Sequence, residues 1–392
     1  MNHKKNILFI SIACDMYGSS KVLLSLVLQM KQDSEEYNPI VCLPPEEGPL
    51  RQNLINAGIQ IIEMPVVKLT RSMLKSLNFI GLFREYFRAK KVFRQETRGI
   101  TVDAIQSNTL ATMFGAMYCK FRKTKHVIHV HEIMDRPKIA SFFFKMVLKY
   151  CCDEIVYNSE ATAEFYNGMA PTLKNKSATI VNGVDRNRGV ISEEERSKIR
   201  TEMFRSSPEE FIIGLLGRFN RLKGHQVTLE TFKEIYEEYP KLKLCFIGSP
   251  PPNQEHFLVN LRERIASMGL DKRVQIMGFQ DDVFAILEAL DLVVVPSTEP
   301  ESFGLVVVEA MLAGTAVIGS DIGGISTIID HGKTGLLFEP NDKNEFKNAI
   351  VSLLNDGSLK AMMEKKAMDK AKIAFSSEAM FQKFNLLYRK II

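Results

Sequence analysis

The first half of the chain alternates short apolar runs with longer stretches whose apolar residues recur at helical spacing. Apolar runs bounded by polar turns are typical of strands buried in a parallel sheet, and the longer stretches supply the helices that connect and cover them. The strands predicted here are 6–11, 39–43, 60–64, 103–106, 127–130, 154–157 and 178–181. This half is therefore predicted to form one α/β domain.

A second alternating series follows a charged segment at 192–205. Its predicted strands are 211–216, 242–247, 274–277, 292–295, 316–319 and 336–338. The pattern predicts two doubly wound α/β domains, 1–185 and 186–375, followed by an amphipathic helix within 376–392. The boundary between the two domains is predicted at Asn182-Gly183-Val184-Asp185, because Asn-Gly favours a turn.

A possible anion site lies after the strand 292–295. That strand stops at Pro296, and a helical pattern begins near Gly304 and runs to about residue 313. Ser302, Phe303, Gly304 and Leu305 therefore lie where a helix begins, beyond the carboxyl end of a strand. Backbone N–H groups and the positive end of the helix dipole bind phosphate at such a point, and Gly304 has no side chain to hinder its approach.

Two carboxylates flank this turn, Glu301 in the loop and Glu309 inside the helix. Carboxylates accept paired hydrogen bonds from the vicinal hydroxyls that ribose and hexose both carry. We therefore expect a sugar joined through a diphosphate to a nucleoside. The alternative is a chance pair of acids on a solvated surface.

Glu301-x7-Glu309, with Phe303-Gly304 inside it, resembles the signature of the retaining glycosyltransferases of family 4. The resemblance implies the GT-B fold, with two Rossmann-like domains facing a cleft. It also implies that the first domain binds the acceptor, the second binds the nucleotide sugar, and the last helix crosses back to the first domain.

Further motifs of the second domain resemble the family's donor site. Gly217-Arg218 and Lys223-Gly224 match its basic loop, in which Arg218 and Lys223 would bind phosphate oxygens. Gly248 and Gly278-Phe279 end neighbouring strands, and the family places the main chain near Phe279 against the nucleobase. The alternative for the basic loop is a solvated turn.

Two positions in the first domain carry weaker signals. The loop after the first strand lacks the Gly-x-Gly-x-x-Gly of a dinucleotide fold but keeps Gly18, which would let the loop approach the donor phosphates or the acceptor. The alternative is an ordinary strand-to-helix turn. Strand alternation places His129 and His131 on one face, and His131 lies at the strand end. His131-Glu132 resembles the family's histidine that contacts the donor sugar, whereas His129 is expected in the core. The turn at Ser159 is expected to cap a helix.

The composition narrows the chemistry. The six cysteines show no zinc-ligand spacing and favour a reducing compartment, and no signal peptide or membrane-spanning run is evident. No Asp-x-Asp is present, so we expect no cofactor and no catalytic metal, with Arg218 and Lys223 supplying the charge. The donor is expected to be a UDP-sugar in preference to a GDP-sugar, and nucleic acid is not expected as a partner.

The net charge of +5 is concentrated in the first domain, where Lys and Arg outnumber Asp and Glu by 24 to 17 up to Asp185. The segment Lys68–Arg98 interleaves aromatic residues with nine basic ones, at positions 68, 71, 75, 84, 88, 90, 91, 94 and 98. A helix lying on an anionic membrane and a helix with buried aromatics are equally consistent with it.

The reaction expected from the resemblance is retaining transfer of a sugar to an acceptor hydroxyl, in cell-surface polysaccharide or glycolipid synthesis. The expected acceptor is a sugar or a lipid-linked glycan, and the expected location is cytoplasmic, with peripheral contact to the inner membrane face left open. The alternatives are a nucleotide-sugar epimerase, a glycoside phosphorylase, or a non-catalytic subunit that binds sugar nucleotides.

Overall fold

The computed structural model describes residues 4–70, 73, 78–186 and 188–392. The chain divides into two compact units, the first formed by Met1–Asp185 with Ser376–Ile392 and the second by Arg186–Phe375. Each unit is a parallel β-sheet with helices on both faces, so the two predicted doubly wound, Rossmann-like α/β architectures are confirmed.

The first unit has a seven-stranded sheet in the order β3-β2-β1-β4-β5-β6-β7, with every pair parallel. Its strands are β1 (Lys5–Ile10), β2 (Tyr37–Leu43), β3 (Gln60–Glu63), β4 (Ala104–Ser107), β5 (Lys125–Val130), β6 (Glu154–Tyr157) and β7 (Ser177–Thr179). Its described helices include α1 (Gly18–Asp33), α2 (Pro49–Asn56), α3 (Ile80–Glu96), α4 (Met113–Cys119), α5 (Lys138–Tyr150) and α6 (Glu160–Met169). The Ser159 side chain accepts a hydrogen bond from the N–H of Thr162, which confirms it as a helix cap.

The second unit has a six-stranded sheet in the order β10-β9-β8-β11-β12-β13. Its strands are β8 (Phe211–Leu216), β9 (Leu242–Ile247), β10 (Val274–Met277), β11 (Leu292–Val295), β12 (Ala316–Ser320) and β13 (Leu336–Phe338). Its helices include α7 (Glu193–Lys198), α8 (His225–Tyr236), α9 (His256–Ser267), α10 (Val283–Ala289), α11 (Leu305–Ala313), α12 (Gly324–Ile328), α13 (Lys343–Asn355) and α14 (Gly357–Ala374). The helix that follows, α15 (Ser377–Ile391), belongs to the first unit.

The strand order indicates where each sheet is expected to bind a ligand. In each sheet the chain reverses its direction of winding, between β1 and β4 in the first and between β8 and β11 in the second. The loops that leave such neighbouring strands at their carboxyl ends diverge to opposite faces, and the crevice between them is the usual ligand site of an open α/β sheet. The loops after β8 and β11 are those that carry Arg218, Lys223 and Glu301.

The segment Lys68–Arg98 is not one helix, which corrects the expectation from sequence. Helix α3 begins only at Ile80, and Lys68 lies in an isolated bridge with Thr112. The bridge holds Lys68 in extended backbone, which a helix through that position would not allow. Arg71 and Lys75 lie outside the described residues. No helix in the described part of the chain has the length and apolar character needed to cross a membrane.

Candidate functional site

The carboxyl edge of the second sheet brings together most of the residues expected to bind the donor. Strand β8 lies between β9 and β11, and all three run parallel. The loop after β8 carries Arg218 and Lys223, Gly248 follows β9, and the loop after β11 carries Glu301. Lys223 and Glu301, 78 positions apart in sequence, therefore meet at one edge, because parallel strands present their carboxyl ends on the same side.

Lys223 and Glu301 form an ion pair at this edge. The Lys223 Nζ lies 2.6 Å from the Glu301 Oε1, and the Ser297 hydroxyl donates to the same oxygen. Both charged side chains are largely buried, at 24% and 18% exposed. Burial raises the pKa of Glu301, but the Lys223 ammonium and the Ser297 hydroxyl outweigh that effect and the net pKa is lowered. Glu301 is therefore a carboxylate at neutral pH, and a cation is held beside it.

Ser297 is a residue that the sequence analysis did not assign. It is 1% exposed and stands directly after Pro296, where strand β11 has ended. The signal available in the sequence was a serine at the end of an apolar run, four residues before Glu301. Its hydrogen bond holds the Glu301 side chain in place beside Lys223.

The beginning of α11 is the predicted anion site. Gly304 precedes the helix with φ at +118°, a conformation that favours glycine, and this N-cap residue has no side chain with which to cap the helix. The Phe303 side chain is 3% exposed and packs edge-on against Phe375, with ring centroids 5.9 Å apart. Phe303 therefore anchors the turn in the core, and its contribution to ligand binding is limited to backbone. Ser302 and Leu305 are half-buried on either side.

The remaining residues expected to bind the donor differ in their exposure to solvent. The Glu309 residue is only 5% exposed, within the second turn of α11. Arg218 is exposed, and Phe279 is 47% exposed after β10. Gly248 lies so close to the end of β8 that a Cβ there would stand 1.9 Å from the Gly217 carbonyl oxygen. The strand ends at this edge are thus packed backbone against backbone.

In the first unit, a buried asparagine joins two of the predicted positions. Asn108 follows β4, is 1% exposed, and donates through its Nδ2 to the Ser19 carbonyl, 2.9 Å away. Its Oδ1 lies 3.2 Å from the His131 Nε2. Since the amide nitrogen is committed to a carbonyl, the Oδ1 is the acceptor and the His131 Nε2 carries a proton. Asn108 therefore connects the first turn of α1 to His131, a link that the sequence analysis missed.

His131 is neutral in this setting. Burial lowers its pKa to about 3. The His129 ring lies beside it with centroids 3.9 Å apart, and His129 is fully buried against Phe384 of α15, as expected for a core histidine. Among the titratable groups around His131, the neighbouring Glu132 accepts a hydrogen bond from the backbone N–H of His131, at 3.3 Å. A neutral imidazole donates one hydrogen bond through its protonated nitrogen and accepts at the other.

Glu132 follows β5, next to His131, and the sequence analysis gave it no role of its own. Burial raises its pKa to about 7, although the N–H groups of Leu110 and His131 and the charge of Lys68 oppose the shift. Its Oε2 lies 3.4 Å from the Leu110 nitrogen. Glu132 is thus a carboxyl that changes protonation near neutral pH at the carboxyl edge of the first sheet.

The loop before α1 is ordered by a carboxylate. The Asp15 Oδ1 accepts from the Tyr17 N–H at 3.1 Å and from the Ser20 hydroxyl at 3.0 Å. Gly18 is the first residue of α1. Within the described part of the chain, no group of three or more His, Cys, Asp or Glu side chains is arranged to hold a metal ion.

Two family models match the chain. Residues 17–188 match the model described as Glycosyltransferase Family 4, and residues 198–370 match the model described as Glycosyl transferases group 1. Together the two matches cover most of both units, including the Arg218, Lys223, Glu301 and Glu309 positions.

Curated relatives are similar over part of their length. The chain is 29% identical to the N-acetyl-alpha-D-glucosaminyl L-malate synthase of Bacillus anthracis over 55% of this chain and 54% of that protein. It is 31% identical to the D-inositol 3-phosphate glycosyltransferase of Corynebacterium jeikeium over 46% of this chain and 43% of that protein. The chain spans about half the length, or less, of these curated relatives.

Solved structures share the whole fold. HepE of Anabaena, in complex with UDP and glucose, has a TM-score of 0.81 at 23% identity and covers 99% of this chain and 100% of its own. The sucrose-phosphate synthase of Thermosynechococcus elongatus has a TM-score of 0.79 at 20% identity, with 99% of each chain covered. With two matched family models, two Rossmann-like units and these fold neighbours, the chain belongs to the group 1, family 4 glycosyltransferases of GT-B fold.

Proposed function

We propose that the chain transfers a sugar from a nucleoside-diphosphate sugar to an acceptor hydroxyl, with retention of configuration at the anomeric carbon. The observation that carries this proposal is the Lys223–Glu301 ion pair at the carboxyl edge of the second sheet, next to the uncapped beginning of α11. It places a cation, a carboxylate and a helix terminus in one neighbourhood within a glycosyltransferase family.

The cation and the helix terminus would serve the diphosphate. An ammonium group has three donors, so Lys223 can keep one bond to Glu301 and direct others to phosphate oxygens. Arg218, exposed in the same loop, adds a planar donor pair. As the bond between the anomeric carbon and the diphosphate breaks, negative charge grows on the leaving oxygen, and preorganised donors stabilise it.

The two glutamates would hold the two ends of the donor. Glu309, buried inside α11, is proposed to accept from the ribose hydroxyls, and Glu301 from the hydroxyls of the transferred sugar. Phe279 and Gly248 are proposed to border the nucleobase and the phosphates. The proposal gives His131 the contact to the transferred sugar, and Gly18 a close approach of its loop to the donor phosphates or the acceptor.

Retention follows if the acceptor oxygen enters on the face that the diphosphate leaves. The new bond joins the acceptor oxygen to the anomeric carbon, and the acceptor proton passes to the departing phosphate oxygen. This route needs no protein nucleophile. It uses the carboxylate of Glu301 for position and charge alone, which suits a group already held by Lys223 and Ser297.

A UDP-sugar is the proposed donor, with a hexose as the sugar. HepE of Anabaena has been solved with UDP-glucose, and that neighbour shares the fold over nearly the whole chain. A lipid-linked glycan at an anionic membrane face is the proposed acceptor, in polysaccharide or glycolipid synthesis. The excess of basic residues up to Asp185 supports that choice.

A panel of nucleotide sugars, each tested with and without glycan acceptors, checks the proposal. Release of nucleoside diphosphate that increases with acceptor, and a product with the donor's anomeric configuration, are expected. Conversion of the donor alone to a new nucleotide sugar identifies an epimerase instead. Binding of UDP-sugars without turnover on any acceptor supports a non-catalytic subunit. We expect transfer to survive excess EDTA, because Arg218 and Lys223 supply the positive charge.

A further inference from the structure

Helices α3 and α5 both leave large apolar side chains in solvent. Each packs its inner side into one hydrophobic core, with Tyr86 and Phe93 buried from α3 and Phe144 from α5. The outer sides are apolar as well. Their exposed members are Ile80, Phe83 and Phe87 of α3 and Ile139, Phe142 and Met146 of α5, which we call the aromatic face.

The aromatic face consists of two stripes, one on each helix. On α3, Phe83 and Phe87 are four residues apart, and on α5 the spacing of three and four residues aligns its exposed members. Phe79, just before α3, stacks on Phe143 of α5 with ring centroids 6.1 Å apart. The beginning of α3 and helix α5 are therefore in contact beside the exposed rings. Single apolar residues on a surface are ordinary, but several large exposed ones on each of two helices that touch are typical of interaction sites.

Basic side chains border the aromatic face. Lys and Arg outnumber Asp and Glu by five to two in α3, and α5 has three lysines and no acid. Arg84 and Arg88 have exposed side chains, and the Lys145 ammonium lies 5.0 Å from the Phe142 ring centroid. Long basic side chains can reach lipid phosphates while the neighbouring rings enter the headgroup layer.

We propose that the aromatic face docks the first unit on an anionic lipid bilayer, with the rings in the headgroup layer and the basic side chains on lipid phosphates. The proposal deepens the proposed function, on which it rests for the lipid-linked acceptor. A second copy of the chain is the less favoured occupant, because two such basic surfaces repel one another. A bilayer of anionic lipid offers both an apolar layer and opposite charge.

A tryptophan reporter tests the contact directly, because the chain contains no tryptophan. In Phe142→Trp, the single indole is expected to shift its emission to the blue on mixed phosphatidylcholine–phosphatidylglycerol vesicles and to be quenched by brominated acyl chains. Ile373→Trp provides the matched control, since Ile373 is 78% exposed on α14 of the second unit and is expected to show neither effect. An unshifted, unquenched Phe142→Trp on vesicles at low salt overturns the proposal.

Vesicle sedimentation separates the two physical contributions. Phe83→Ser with Phe87→Ser is expected to lower partition onto anionic vesicles roughly tenfold or more, from the apolar transfer lost. Arg84→Glu with Arg88→Glu is expected to abolish the dependence on phosphatidylglycerol. Wild-type binding that survives the double serine change, or a dimer that the serine change dissociates in the absence of lipid, contradicts the proposal.

Turnover of a UDP-sugar in solution distinguishes this inference from the proposed function. The serine and charge-reversed variants are expected to release UDP from the donor at the wild-type rate, because none of these residues belongs to the donor site. Loss of vesicle binding with intact donor turnover supports the docking surface. Vesicle binding in a protein that turns over no donor supports it too, and defeats only the proposed function.

Discussion

At the scale of single residues, the lysine proposed to bind the donor already has a carboxylate partner within the second unit. Lys223 is paired with Glu301, and Ser297 donates to the same carboxylate oxygen. A buried charge that loses its partner destabilises its surroundings, so the lysine and the glutamate depend on each other before any ligand binds. In the proposed mechanism Lys223 keeps one bond to Glu301 and directs its other donors to the diphosphate, so neither charge is left unpaired.

Replacement of Lys223 by alanine is therefore expected to lower turnover by about 10² to 10³-fold, the usual range for one preorganised donor. Steady-state release of nucleoside diphosphate measures it. Arg221→Ala is the matched control, because Arg221 lies in the same loop, pairs with Glu299 and is 67% exposed. A similar rate in both variants would remove Lys223 from the proposed mechanism.

The Asn108–His131 bond gives a second prediction at this scale. In Asn108→Asp a carboxylate faces the protonated Nε2 and favours the imidazolium, so the His131 pKa should rise by roughly one unit or more from its depressed value. The imidazolium then forms as the pH falls through the raised pKa, and turnover should fall with it. His129, which lies beside the ring, and Glu132 are the other titratable groups to follow.

Imidazole resonances in a nuclear magnetic resonance titration report the pKa directly, without any substrate. Asn108→Ser is the neutral control, which removes the acceptor but adds no charge. If Asn108→Asp leaves the His131 titration unchanged, the bond described here does not hold His131 in solution.

At the scale of elements, buried strands were predictable and side-chain partnerships were not. The strands β8, β9, β10, β11 and β13 have the bounds expected from their largely apolar runs. Asn108 was missed because a polar residue after a strand also fits an ordinary turn. The Lys223–Glu301 pair depends on β8 lying next to β11. A pattern of hydrophobic positions does not reveal the order of strands in a sheet.

The close packing of strand ends makes Gly248 irreplaceable. Its φ is +150°, and a Cβ at this position would lie 1.9 Å from the Gly217 carbonyl oxygen, so Gly248→Ala forces the ends of β8 and β9 apart. We expect a loss of roughly 3 kcal/mol in the free energy of unfolding. Chemical denaturation measures it, with Gly278→Ala as the control because nothing lies within 4 Å of a Cβ there. Equal stability of the two variants would contradict this.

At the scale of the whole molecule, the first unit is closed by a helix from the far end of the chain. The Tyr388 hydroxyl of α15 donates to the Gln106 side chain in β4, and its ring packs against Tyr37, with centroids 5.7 Å apart. Arg389 pairs with Glu36, and Lys390 lies 2.6 Å from Glu154. Helix α15 thus supplies both core and surface contacts to a sheet made of much earlier residues.

Tyr388→Ala is expected to destabilise the first unit by about 3–5 kcal/mol, the range for deleting a large buried ring. Because two units need not unfold together, hydrogen exchange followed by mass spectrometry is the suitable measurement. Amides of β1 and β4 should exchange faster, whereas those of β8 and β9 in the second unit should not. Uniform acceleration in both sheets would mean that the units unfold as one.

The placement of α15 also fixes an order of events on the ribosome. The nascent chain delivers residues 186–375, an entire second unit, before residues 376–392 are made. Until then the surface of the first sheet around Gln106 and His129 lacks the helix α15 that packs on it, although all seven strands of the sheet have been synthesised. Of the two units, the one that starts first is therefore completed last, and it exposes an incomplete core while the second unit is being made.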